Sequence, residues 1–140
     1  MNPALGLCGI LLAACVTSTD TGSSTLVVTG AWDYEATQST PTTATITGTL
    51  IVSTQSNGVF QGTASGSEIE GSTTTPVSGP IAGQTVNDTT VDFDIFFNSD
   101  PNGRRHVAAV VRDTMRGSWV ETGGASTFAG SFTAIRRSGP

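Results

Sequence analysis

The chain has 140 residues, the size of one domain with a single hydrophobic core. It contains no lysine, its six basic residues are all arginines in the last third of the chain, and its net charge is -5, which argues against a nucleic-acid partner. Abundant threonine and glycine, with only 12% charged residues, favour β-strands over helices.

The first segment, residues 1–14, is predicted to be a signal peptide. Its apolar run from Ala4 to Ala14 is too short to cross a bilayer of about 30 Å but fits a signal-peptide hydrophobic region. The run ends in Leu12-Ala13-Ala14-Cys15, which resembles the lipobox of bacterial lipoproteins, although Met1-Asn2-Pro3 lacks the usual cation. The resemblance implies that Cys15 carries lipid and becomes the mature N-terminus.

Residues 15–25 are predicted to form a flexible, lipid-anchored tether, because they are rich in Ser, Thr, Gly and Asp and show no apolar periodicity. The expected location is the cell envelope. In a Gram-negative cell it is the outer membrane, since Val16 is not the aspartate that signals inner-membrane retention. The alternative is that Cys8 and Cys15 are ordinary small apolar residues.

From residue 26 to 137 the sequence predicts one β-domain. Eight short runs with strand character are separated by turns rich in Asn, Asp, Gly and Ser. The predicted strands are 26–36, 43–55, 59–70, 76–86, 90–97, 104–112, 115–122 and 127–136. Short reversals make sequence neighbours spatial neighbours, and closure removes exposed edges. The predicted fold is an all-β, eight-stranded antiparallel up-and-down barrel, with a two-sheet β-sandwich as the alternative.

Period-two alternation predicts the interior face of the last four strands. The three turns are expected to close with these pairs opposite each other: Phe97 and Arg104, Arg112 and Met115, Thr122 and Thr127. One face then collects Phe93, Ile95, Ala108, Val110, Trp119, Phe128 and Phe132. The register sets Trp119 against Gly130 and His106 opposite Glu121, and large residues opposite glycines are how a small barrel fills its interior.

The turn at Ser56-Asn57-Gly58 is predicted to be a three-residue loop with glycine in the left-handed position. Such a loop aligns Leu50 with Ala64 and Val52 with Gly62, whereas a two-residue Asn-Gly loop would break that alignment.

Two short motifs resemble the calycin superfamily, which includes lipocalins and avidins. Gly30-Ala31-Trp32 opens the first strand, and Arg136 lies near the end of the last. The resemblance implies that this arginine stacks on the tryptophan at the closed end of a barrel. Residues 57–63 also resemble an avidin hairpin, but the lipocalin Thr-Asp-Tyr element and the avidin biotin site are missing, so neither ligand class follows.

Five residues are candidates for a ligand site inside the barrel: Trp32, Tyr34, His106, Trp119 and Glu121. The aromatic residues would wall a pocket if the lumen is open, or plug the core if it is filled. His106 and Glu121 would fix a ligand, or form a satisfied cross-strand pair at the rim.

No catalytic, cofactor or metal site is predicted. The chain has one histidine and none of the common nucleophile or phosphate-loop motifs, so we expect no enzyme activity. Glu68/Glu70 and Asp92/Asp94 each place two carboxylates on one strand face, and a solvated outer face is preferred over a calcium site, which needs six to eight ligands.

Three functions remain open at this point, and one of them is a purely structural envelope component. The other two differ in the state of the lumen. The first is a monomeric, lipid-anchored binding module that holds a small apolar or amphipathic ligand in its lumen. The second is an envelope protein of the interaction or inhibitor type with a packed lumen. A cavity above roughly 300 Å³ would favour the first function.

Overall fold

The computed structural model describes residues 25–121, 123 and 126–139, which form a closed antiparallel barrel. Its strands are β1 (Gly30–Thr40), β2 (Ala44–Ser56), β3 (Val59–Glu70), β4 (Thr73–Asn87), β5 (Thr90–Ile95), β6 (Arg104–Val111), β7 (Thr114–Glu121) and β8 (Phe128–Arg136). Each strand pairs with the next, and β8 pairs with β1. The up-and-down barrel prediction is confirmed, and the sandwich alternative is wrong. The predicted signal peptide, Cys15 and residues 16–24 lie outside the described residues.

Alternating burial along the strands builds the core. In β1, for example, Trp32, Tyr34 and Ala36 are buried while the residues between them are exposed. The predicted interior face is confirmed: Phe93, Ile95, Ala108, Val110, Trp119 and Phe132 are buried, and Phe128 packs against them half-buried. Burial of a large apolar side chain contributes about 1.5–3 kcal/mol, so this alternation is the main stabilising feature of the fold.

The β7–β8 register agrees with the prediction, since Trp119 lies opposite Gly130 and Gly117 opposite Phe132. The β5–β6 register is shifted by two residues, so that Phe93 faces His106 and Ile95 faces Arg104. A shift of two preserves the face of every side chain, which is why the interior was predicted correctly despite the wrong partners.

The cause of the β5–β6 shift is a short 3₁₀ turn, Phe97–Ser99, that ends the strand early. Asn98 adopts a positive φ there, accepts a hydrogen bond from the Ser78 amide and donates one to the Pro76 carbonyl. The side chain of Asn98 thus bonds to the backbone of β4 in place of a continued β5. Phe97 is therefore outside the strand and does not pair with Arg104.

The β6–β7 register is also shifted by two residues. The turn consists of Arg112 and Asp113, with Val111 opposite Thr114 and a positive φ at Arg112. Arginine rarely adopts a positive φ, so sequence reasoning does not expect Arg112 inside the turn. It therefore predicts the turn one residue later than it occurs. The predicted pairing of His106 with Glu121 is therefore wrong.

The β2–β3 hairpin reaches its predicted alignment by another route. Asn57 and Gly58, both with positive φ, form a two-residue turn, and a register shift between Val52 and Thr54 restores the pairing. Leu50 faces Ala64 and Val52 faces Gly62, as predicted. The three-residue loop is wrong, because a bulge absorbs the extra residue.

The two ends of the barrel differ. The first residues described, 25–29, lie against one end, which we call the closed end, where β1 begins and β8 finishes. The predicted first strand, 26–36, is displaced because these residues plug the barrel instead of pairing: Val28 is fully buried. We call the opposite end, with residues 71–72 and 96–103, the mouth.

Candidate functional site

The closed end is sealed by stacking and hydrogen bonds. The Arg136 guanidinium lies 4.2 Å from the centroid of the Trp32 ring and donates hydrogen bonds to the carbonyls of Val27 and Thr29. The Trp32 indole N–H donates to the Val28 carbonyl at 3.0 Å. The stacking implied by the calycin resemblance is therefore present, and Trp32 is a plug of this end.

The middle of the lumen is filled by aromatic rings around His106, which is fully buried. Phe93 stacks on the imidazole with the ring centroids 4.8 Å apart, and Phe132 meets it edge-on at 4.9 Å. Tyr34 approaches from β1, and its hydroxyl lies 2.9 Å from His106 Nε2. This level of the barrel is therefore packed with buried, mutually contacting rings.

The hydrogen bonds fix the imidazole tautomer. His106 Nδ1 lies 2.7 Å from the Arg104 carbonyl oxygen, which can only accept, so Nδ1 carries the proton. Nε2 then accepts from the Tyr34 hydroxyl. Both ring nitrogens are satisfied in the neutral form. Burial lowers the pKa of His106 to about 3 and raises that of Tyr34, so both groups are uncharged at neutral pH.

A charged cluster lies above this aromatic layer, at the mouth. Arg104 donates from Nε to Glu121 at 2.9 Å and from Nη2 to Glu68 at 3.1 Å. The exposed side-chain fractions are only 14% for Arg104, 20% for Glu68 and 13% for Glu121. The guanidinium lies between two rings, 5.3 Å from Phe97 and 5.1 Å from Trp119. A charge network this enclosed keeps its geometry better than a surface pair.

Glu68 corrects a sequence expectation. It was predicted on a solvated outer face with Glu70, but its strand parity matches that of the buried Phe60 and Ala64, and it turns inward to Arg104. Asp92 does lie on the outer face, as predicted, where Arg105 binds both of its oxygens and lowers the pKa of its carboxyl.

A cavity of about 430 Å³ opens above the charged cluster at the mouth. Its apolar surface comes from Val77 and Phe97, and the remaining surface is polar. The polar lining residues are Glu68, Glu70, Thr73, Thr75, Asn98, Ser99, Asp100, Asn102, Arg104 and Glu121. Small-molecule sites combine these two kinds of surface in cavities of roughly this size.

The five predicted site residues therefore separate into three levels. Trp32 plugs the closed end, and Tyr34 and His106 are hydrogen-bonded in the middle. At the mouth, Trp119 contacts the charged cluster and Glu121 lines the cavity. Sequence reasoning missed Arg104 and Glu68. The available signal was strand parity, since Arg104 shares a face with His106 and Ala108.

In the described part of the chain, no three His, Cys, Asp or Glu side chains are arranged to hold a metal ion. The same residues contain no helix of sufficient length and apolarity to cross a bilayer.

Comparisons with known proteins establish the fold. No protein-family model matches the chain, and no curated protein matches it. EF1p2_mFAP2b bound to DFHBI is similar with a TM-score of 0.68 and 16% identity, over 78% of this chain and 93% of that one. The redesigned β-barrel b11L5F_LGL has a TM-score of 0.61 and 19% identity over 83% and 100%. The redesigned β-barrel mFAP1 bound to DFHBI has a TM-score of 0.60 and 18% identity, over 77% of this chain and 94% of that one. At such identities the likeness is one of fold.

Proposed function

We propose that this protein is a non-enzymatic binding module that holds a small amphipathic ligand in the cavity at the barrel mouth. The observation that carries the proposal is the 430 Å³ cavity bounded by the inward-facing Arg104, Glu68 and Glu121. Charged side chains turned into a barrel are costly unless they are paired, and here they are concentrated beside a cavity with space for a guest.

The filled middle of the lumen favours the mouth as the place for a ligand. Phe93, His106 and Phe132 occupy the centre, so a purely apolar guest has no enclosed chamber there. The mouth instead offers the apolar side chains of Val77 and Phe97 among polar lining residues. An amphipathic ligand therefore fits the cavity better than a purely apolar one. Two of the barrels of similar fold are bound to DFHBI, which supports this use of the architecture.

Probe binding to the domain tests the proposal. In a Trp32→Phe variant, Trp119 is the only remaining tryptophan, and its contact with Arg104 at the mouth makes its emission sensitive to a guest. We expect DFHBI or the uncharged dye Nile red to change that emission saturably. Thr75→Phe should fill the cavity and weaken binding at least about tenfold, equivalent to about 1.4 kcal/mol.

Thr74→Phe is the matched control. Thr74 is adjacent on β4 but does not line the cavity, so this variant should bind like the parent. Equal loss in both variants, or no uptake of either probe by a folded parent, would contradict the proposal.

A second candidate is a protein of the interaction or inhibitor type. The packed rings below Arg104 favour it, because a filled lumen leaves the outer surface and loops as the working parts. It predicts that neither probe is taken up at the mouth and that Thr75→Phe changes no probe signal. The probe experiment thus separates the two candidates.

We also propose that the protein is a monomeric cell-envelope lipoprotein anchored through Cys15, and in a Gram-negative cell that it resides in the outer membrane. The support is the Leu12-Ala13-Ala14-Cys15 motif after an apolar run. Mass spectrometry of the protein from its native membrane should give a diacylglyceryl mass on Cys15. The Cys15→Ser variant should lose that mass and leave the membrane fraction. An unmodified Cys15 in a membrane-bound parent would refute the anchor.

A further inference from the structure

Exposed apolar side chains are concentrated at the closed end of the barrel. In the described part of the chain eight large apolar residues are exposed, and five of them lie in residues 25–29 or within two residues of a strand terminus at this end. Their exposed fractions run from 52% to 67%. We call these five the apolar rim: Val27, Val59, Val86, Val111 and Ile135. Of the other three, Ile69 lies at the mouth, while Ile51 and Val107 lie further from either end.

The apolar rim spans several strands. Val111 lies opposite Thr114, which in turn lies opposite Ile135, so one side of the rim is continuous across β6, β7 and β8. On another side, Val59 begins β3 and Val86 lies beside the end of β4, which pairs with β3. Single exposed apolar residues are common on a protein surface, but a group of them at one place marks a contact with a protein or a membrane.

Positive charge is concentrated at the same end. Four of the six arginines lie within three residues of a strand terminus there: Arg112, Arg116, Arg136 and Arg137. Arg136 pairs with Asp113, and Arg137 pairs with Asp33. Asp88, the other carboxylate at this end, accepts hydrogen bonds from Thr25. Arg112 and Arg116 are exposed and form no ion pair with any residue that the structure describes. These two cations are therefore available to an anionic partner.

The mouth has the opposite charge. Its cavity is lined by four carboxylates and by the single guanidinium of Arg104. The carboxylates belong to Glu68, Glu70, Asp100 and Glu121. An anionic surface therefore repels the mouth and attracts the unpaired arginines at the other end. The charge distribution favours one orientation of the barrel on such a surface, with the closed end nearest to it.

The chain enters the barrel at the end that carries the rim. The Thr25 amide donates to the Asp88 side chain, in the reversal between β4 and β5. Cys15, the proposed site of lipid attachment, is ten residues earlier in the sequence. Ten residues reach at most about 36 Å when fully extended. A lipid on Cys15 would therefore keep the closed end near a bilayer.

We propose that the apolar rim, with Arg112 and Arg116, rests on the surface of an anionic lipid bilayer and that the mouth is directed away from it. This inference rests on the proposed Cys15 anchor and adds the contact surface and the orientation of the barrel. Interfacial binding depends on the apolar area that enters the headgroup region and on attraction to anionic lipids. The rim supplies the first contribution and the two arginines supply the second.

Fluorescence quenching by lipids tests the contact. The lipidated full chain is reconstituted in vesicles of phosphatidylcholine and phosphatidylglycerol in which some acyl chains carry a nitroxide quencher. A nitrobenzoxadiazole label is attached at Val111→Cys, or at Ile69→Cys as the matched control at the mouth, and both variants carry Cys8→Ser. We expect quenching at residue 111 to be at least about threefold stronger than at residue 69, because only the closed end touches the bilayer.

Further variants separate contact from tethering. With the label at Val59→Cys, the double substitution Val111→Ser and Ile135→Ser should weaken quenching about threefold, because it removes apolar area from the rim. Val107→Ser is the control, since Val107 is exposed on the same strand as Val111 but lies outside the rim. It should leave quenching unchanged. Vesicles of phosphatidylcholine alone should also give weaker quenching, because Arg112 and Arg116 then have no anionic partner.

The possible results are distinct. Equal quenching at residues 111 and 69 in a protein that sediments with the vesicles would overturn the docking and leave the anchor standing. So would a double serine variant or a phosphatidylcholine vesicle that quenches like the parent. If the residue 111 signal follows the ratio of protein to lipid and ignores the quencher, a second copy covers the rim and the lipid contact is refuted. If the protein does not sediment with the vesicles, the anchor itself fails and the docking with it.

Discussion

His106 is a titratable residue held in its neutral form by everything around it. Its Nδ1 proton is bound by the Arg104 carbonyl and its Nε2 lone pair by the Tyr34 hydroxyl, and Phe93 covers one face. Arg104 is the nearby cation, and it disfavours a second positive charge. Protonation would therefore break the bond from Tyr34 and place an unpaired cation in the core.

This arrangement predicts a specific acid sensitivity. The folded-state pKa of His106 is about 3, whereas the pKa of the same imidazole in the unfolded chain is about 6.5. Between these two pH values the unfolded chain binds this proton and the folded chain does not. The free energy of unfolding should be fully maintained above pH 6.5 and fall toward pH 3 by up to about 1.4 kcal/mol per pH unit. Urea unfolding at a series of pH values measures this slope. His106→Gln should flatten it, and an unchanged slope in that variant would contradict the assignment.

The separate residues of the site were only partly predictable. Aromatic type and strand parity were enough to place Tyr34, His106 and Trp119 inside the barrel. The partner of Glu121 was not predictable, because it depends on the turn at Arg112 and Asp113 that joins β6 to β7 at the other end of the hairpin. An inward arginine at position 104 contradicts the usual exposure of that residue type, and only its pairing with two carboxylates makes the position tolerable.

At the scale of strands, parity was more robust than register. Alternation survives an error of two residues, so the interior face of β5, β6 and β7 was right while their cross-strand partners were wrong. The errors came from Asn98 and Arg112, which both have a positive φ, and the Asn98 side chain bonds to β4. Local turn propensity does not contain that information.

The pairing of β2 with β3 gives a test at this scale. Gly48 lies opposite Gly66, and a Cβ on either would collide with the backbone of the partner strand. We expect Gly66→Ala to lower the free energy of unfolding by about 3 kcal/mol, since neither strand can move away within a closed sheet. Chemical denaturation measures this.

Gly71→Ala is the control for that substitution. Gly71 has a positive φ of 61° but nothing within 4 Å of a built Cβ, so only the backbone term of about 1 kcal/mol applies. Equal losses in the two variants would show that close strand approach at Gly66 is not the reason for its glycine.

The attachment of residues 25–29 to the closed end gives a second test. Arg136 donates to two carbonyls of this segment and stacks on Trp32, with its side chain 25% exposed. We expect Arg136→Ala to destabilise the barrel by about 2–3 kcal/mol. Its neighbour Arg137 is 51% exposed and pairs with Asp33 at the surface, so Arg137→Ala should change stability by less than about 1 kcal/mol. Thermal and urea unfolding should rank the two variants in this order.

At the scale of the whole molecule, closure couples the two ends. Every strand from β1 to β8 is bonded on both sides, so one end cannot open without breaking the ladders that continue to the other. We expect a single cooperative transition. Trp32 reports the closed end and Trp119 the mouth, and the Trp119→Phe and Trp32→Phe variants isolate each signal.

In each variant the fluorescence transition should coincide with loss of the β-sheet circular dichroism signal. A mouth that unfolds before the sheet signal disappears would show that the upper part of the barrel is a separate unit.

The barrel as a whole was predictable because eight runs, frequent turns and parity all agree. The position of its cavity was not. That position depends on how far the rings of Phe93, His106 and Phe132 fill the lumen, and ring volumes in three dimensions do not follow from a one-dimensional pattern.

Both ends of the described chain emerge on the same side: residues 25–29 precede β1 and residues 137–139 follow β8, all at the closed end. A bead or a fluorescent group coupled at residue 25 or residue 139 would therefore hold the barrel from behind, with the opposite rim directed into solution. Sensors built on this scaffold would need their linkers at that rear side, whereas insertions in the reversals of the opposite rim, such as residues 41–43, 71–72 or 96–103, would obstruct access.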